Sequence, residues 1–66
     1  MPRTLEELAE MIAKRDGISY NEAFIAVRDA AAEMEIAFTE GNLDEVEDIL
    51  RDCLGLEPDY LDLFIF

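Results

Sequence analysis

Four carboxylates, Glu22, Asp29, Glu33 and Glu40, are spaced so that a single helix would carry them on one face, as a carboxylate-bridged metal requires. Such centres in helical bundles recruit Glu-x-x-His motifs, and this chain has no histidine, so a solvated stripe is the expected role and no metal is assigned. Asp44, Glu45, Glu47 and Asp48 also crowd together, without the Asp-x-Asp-x-Asp-Gly spacing of a calcium loop and within a strong helical pattern. Cys53 follows Leu50 by three residues on an apolar face, where leucines and carboxylates disfavour a thiolate; it reads as a small core side chain. Ser19 stands at a helix start with no Ser, His, Lys constellation around it. Tyr60 is expected half-buried with its hydroxyl outward. No catalytic or cofactor-binding set emerges, and the chain reads as non-enzymatic.

Charge sets the class of partner. Against 17 acidic residues stand 5 basic ones, a formal charge of −12, and from Asp29 to Asp62 the one base is Arg51. A phosphate-binding surface needs clustered Lys and Arg, so nucleic acid and anionic membranes are excluded as direct ligands and a basic protein is the natural complement. The candidate contact is the outer face of a third helix, Asp44, Glu45, Glu47, Asp48 and Asp52. The same charge could serve solubility alone. With one cysteine, no intrachain disulfide is available. The polar, acidic opening MPRTLEELAEM is unlike a secretory signal, and no apolar run approaches the roughly 20 residues of a bilayer span. A reducing bacterial cytoplasm is the expected compartment.

The elements that position these groups follow from caps and periodicity. Thr4 with Glu7, Ser19 with Glu22 and Asn42 with Glu45 are three capping boxes, in which the glutamate reaches back to the N–H of the capping residue. Gly17, Gly41 and Gly55 are the matching stops. Helix 1 therefore starts at Leu5 with a stripe of Leu5, Leu8, Ala9 and Ile12, and Lys14 and Arg15 sit in its last turn, favourable to its own dipole. Helix 2 runs to about Glu40 and is too apolar for a surface element. Tyr20, Phe24, Val27, Ala31, Met34 and Phe38 recur at steps of four and three and make its expected seam; Ile25, Ala32 and Ile36 lie on one flank and Ala26, Ala30 and Ala37 on the other. Helix 3 covers about Leu43 to Leu54 with a stripe of Leu43, Val46, Ile49, Leu50 and Cys53, and a short helix 4 begins at Pro58.

These elements make one domain over residues 1–66, a small all-α fold of three to four helices built on a long central helix at about 20–40. At this size one core only just outweighs chain entropy, so a partner or a second copy is expected to add stability. Two apolar surfaces remain: the Ile25, Ala32, Ile36 flank and the tail from Leu63 through Phe64 to Phe66. Helices 3 and 4 are expected to cover one of them, leaving the other as the two-fold contact of a homodimer.

Leu5 to Ala32 resembles the helical hairpin of ribbon-helix-helix repressors, through Gly17-Ile18-Ser19 followed by Glu22 and Ala23. That likeness implies a homodimeric transcription regulator, but only Met-Pro-Arg-Thr precedes helix 1, so the family's DNA-reading ribbon has no positions here. The segment Leu54 to Leu61, LGLEPDYL, looks like the C-terminal part of small acidic proteins of phages and integrated mobile elements. It implies an accessory protein that binds or inhibits a host protein. A sharper form is a DNA mimic, whose carboxylates occupy a phosphate-binding groove on a nuclease or repressor.

Overall fold

Each helix begins where a side chain takes over an orphan backbone donor. In the computed structural model, which describes residues 2–64, Thr4 accepts from the Glu7 N–H (3.1 Å), Ser19 from Glu22 (3.1 Å) and Asn42 from Glu45 (3.2 Å). The glutamates answer differently from the expected boxes. Glu7 accepts from the N–H of Arg3, one residue before the cap, and Glu45 accepts from the side-chain amide of Asn42. The resulting elements are α1 (Leu5–Asp16), α2 (Tyr20–Thr39), α3 (Leu43–Leu54) and a 3₁₀ helix (Pro58–Phe64), with no strand among the described residues. At the end of α2, Gly41 takes φ 74°, and this left-handed turn lets Asn42 N–H donate to Ala37 and Gly41 N–H donate to Phe38.

The long axis of the molecule, 33 Å against 20 and 19 Å, is set by α2, whose 20 residues span about 30 Å at 1.5 Å each. A three-residue turn sends α2 back along α1, and α3 packs on a second side of α2. The 3₁₀ helix closes onto α3 and α2. One apolar core joins Leu8, Ala9 and Ile12 of α1 to Val46, Leu50 and Leu54 of α3, with Leu56 and Phe64 from the C-terminal segment. Between them, α2 contributes Ala23, Val27, Ala30, Ala31, Met34 and Ala37.

That set corrects the expected seam. The buried line follows Ala23, Val27, Ala30, Met34 and Ala37, again at steps of four and three, but rotated by roughly 50° toward the alanine flank at about 100° per residue. Tyr20 is exposed, and Phe24 and Phe38 are half-buried at the rim. The physical reason is that α2 must receive two neighbours. Alanines at alternate seam positions let α1 and α3 approach its backbone, while the bulkier aromatics roof the edge, where Tyr20 and Phe24 stack at 5.8 Å.

Candidate functional site

On α3, Asp44, Glu45, Glu47, Asp48 and Asp52 are all exposed, as the amphipathic pattern requires. They are not equivalent. Arg51 donates to Asp48 through Nη2 at 2.7 Å and to Asp52 through Nε at 3.4 Å, and these two carboxylates hold its guanidinium pKa above the ordinary value, Asp52 first. Glu45 is engaged by the Asn42 cap at 3.0 Å. Among the described residues, Asp44 and Glu47 are the two carboxylates of this face with no side-chain hydrogen bond or ion pair. A groove of about 350 Å³ runs from Glu47 and Arg51 to Leu56 and Pro58.

A second surface lies on the outer side of α2. Ile25 is 49% exposed and Ile36 61%, with Ala32 exposed between them, so the structure leaves this flank free. Beside it, Leu5, Phe24, Val27, Ala31 and Ala32 line a groove of about 280 Å³ edged by Arg28 and Glu35. On the other side Ile36 meets Ile49 in a shallower depression between Glu33 and Glu45. Glu22, Asp29, Glu33 and Glu40 are all exposed, so the stripe faces water; among the described residues no group of three His, Cys, Asp or Glu is placed to hold a metal ion.

The described part of the tail is used inside its own chain. Phe64 is fully buried and ranks with the largest core side chains, which corrects its assignment to a self-association surface; Phe66 lies outside the described residues. Cys53 is likewise corrected. The buried row of α3 runs in steps of four, Val46, Leu50, Leu54, which leaves Cys53 exposed at its edge and Leu43, 59% exposed, ahead of its start. The Tyr60 hydroxyl points inward from its half-buried ring and donates to the Met11 sulfur at 3.7 Å, tying the 3₁₀ helix to α1.

Arg15 has a role that its local position does not reveal. Its Nη2 donates to the Leu54 carbonyl at 2.8 Å and its Nη1 to the Gly55 carbonyl at 3.4 Å, so a side chain at the end of α1 caps the end of α3. Asp16 orients it through hydrogen bonds from Nε (2.8 Å) and Nη2 (3.1 Å). The excess of acids in the second half of the sequence is the signal that α3 lacks a base at its terminus other than Arg51. No helix of the described residues is long and apolar enough to cross a membrane. No family model, curated protein or solved structure matches the chain.

Proposed function

We propose that this chain is a small, acidic, non-enzymatic binding module of the phage or mobile-element accessory kind, which engages a host protein through a basic surface on that protein. One observation carries the reading: the core closes without Ile25, Ile36 and Leu43, which stay 49–61% exposed on a body of charge −12. Large apolar side chains left out of the core on a strongly charged surface favour an interaction role. The sign of the rim selects a cationic partner, as electrostatic complementarity steers encounter and rejects anionic surfaces. The DNA-mimic form of this reading rests on α3, where Asp44 and Glu47 carry its unpaired charge and Arg51 offsets Asp48 and Asp52.

The test is capture from bacterial lysate on the immobilised protein at low and high salt, with two variants alongside. The expected result is a discrete basic protein that is retained by the wild type and lost from Ile25→Ser/Ile36→Ser, from Asp44→Asn/Glu47→Gln, or from both. Equal recovery on all three, or recovery of nothing beyond a bare-resin control, overturns the reading.

A further inference from the structure

The exposed side of α2 has the dimensions and the chemistry of a seat for one helix. Ile25 and Ile36 stand three turns apart, about 16 Å at 1.5 Å per residue, and Ala32 makes a dip between them. Ala32 also lines the neighbouring groove with Leu5, Phe24, Val27 and Ala31, and Arg28 and Glu35 stand between that groove and the two isoleucines. We propose that this ridge and groove bind an amphipathic helix of a partner protein, about three turns long, whose apolar face is flanked by Lys and Arg. The inference rests on the protein-binding reading and specifies the partner segment.

Charge complementarity selects that occupant. Asp29 stands in the same line between Ile25 and Ala32, Glu33 and Glu35 border it, all three are exposed, and the one base beside it, Arg28, is 4.0 Å from Asp29. A helix with cationic flanks places its ammonium and guanidinium groups against these carboxylates while its apolar side chains fill the groove. A second copy of this chain would bring Asp29, Glu33 and Glu35 against their own equivalents, with two arginines to offset six carboxylates. Anionic lipid meets the same repulsion.

The experiment uses the full chain and three labelled 14-residue peptides, read by fluorescence anisotropy. One has leucine at helical i, i+3, i+4, i+7 and i+11 positions with lysine elsewhere; one has the same residues scrambled around the helix; one carries glutamate in place of lysine. The amphipathic lysine peptide should bind about ten-fold more tightly than the scrambled one, and the glutamate peptide should show no binding. Ile25→Ser/Ile36→Ser should weaken binding about ten-fold with an unchanged circular-dichroism spectrum, and Asp44→Asn/Glu47→Gln should leave it within about two-fold. Amide chemical-shift changes on the wild type should concentrate between Ile25 and Ile36. Equal binding of the scrambled peptide, indifference to the isoleucine changes, or shifts confined to α3 overturns the proposal, as does a chain dimer in sedimentation that occupies the ridge. If the peptide fails while a basic protein is still captured through Asp44 and Glu47, the helix seat falls and the broader binding reading stands.

Discussion

The guanidinium of Arg15 holds the carbonyl end of α3 across 39 and 40 residues of chain. Truncating it as Arg15→Met keeps most of the aliphatic stem and removes its two charge-assisted hydrogen bonds to α3 together with the two to its neighbour Asp16. Each is worth more than a neutral bond, but the site is open to water, so a loss of about 1–2 kcal/mol in urea unfolding is expected. Arg28→Met, at a looser and more exposed pair, should fall within about 0.5 kcal/mol of wild type. Equal effects would show that Arg15 acts only as surface charge. The Arg15 hydrogen bond, aided by its charge, holds the Asp16 carboxyl below the ordinary carboxylate value against an opposing desolvation. A depressed folded pKa gives stability that is complete above the ordinary carboxylate range and is lost as pH falls through the lowered value. Asp16→Asn should therefore flatten the acid limb of the stability curve, below the ordinary carboxylate range, and identical slopes would remove Asp16 from the account. None of this was legible locally: sequence shows a base in the last turn of α1, which is a sound dipole argument, and hides an acceptor brought close only by the fold.

The helices themselves were readable because their boundaries are local chemistry. Thr4, Ser19 and Asn42 open them and Gly17, Gly41 and Gly55 close them, without reference to tertiary contacts. Which face of α2 is inside was harder to read, because two lines of four-and-three spacing run along it. Weight of hydrophobicity favours the aromatic line through Phe24 and Phe38, whereas close approach of two neighbouring helices favours the alanine line through Ala23, Ala30 and Ala37. The candidate surfaces inherit the same ambiguity. Ile25, Ala32 and Ile36 were identifiable as a flank, but their freedom depends on α1 and α3 stopping short of covering it, with Leu5 reaching only the groove beside Ala32 and Ile49 only the depression beside Ile36. Met34→Ala should cost about 2–5 kcal/mol and Phe24→Ala less, about 1–2 kcal/mol, although phenylalanine is larger, since Met34 is fully buried and Phe24 is half-buried. Enlargement gives the converse. Ala30→Leu should destabilise by about 1–3 kcal/mol through overpacking, and Ala32→Leu should be nearly neutral. A thermal melt in which Phe24→Ala is the more damaging change, or Ala32→Leu the more damaging enlargement, would restore the aromatic line as the seam.

For the whole molecule, the need for supplementary stabilisation that small size predicts is met in part from within. The 3₁₀ helix delivers Phe64 to the centre of the core and Tyr60 to α1, so a short acidic and apolar tail becomes a structural closure. Charge acts against this compact state. With a radius of gyration of 11.2 Å and a formal charge of −12, the carboxylates lie within each other's range at low salt, because the Debye length is about 30 Å at 0.01 M and about 10 Å at 0.1 M. Unfolding moves them apart, since a chain of this length expands to a radius of roughly 25 Å. Repulsion therefore favours the unfolded state, and screening should favour the folded one. The ion pairs pull the other way: Arg15–Asp16, Arg28–Asp29, Arg51–Asp48 and Arg51–Asp52 are all exposed, and salt screens each of them. With 17 acids against 5 bases, the repulsive contribution outweighs these pairs. Raising NaCl from 0.01 to 0.3 M should thus stabilise the monomer by about 1 kcal/mol, which lifts the melting temperature by about 4–8 °C in a domain of this size. Sedimentation at both salts separates this effect from association, because screening a monomer leaves the sedimenting mass unchanged. A melting temperature that falls with salt while the mass stays monomeric would mean that the few ion pairs, and not the net charge, dominate the electrostatics of the fold.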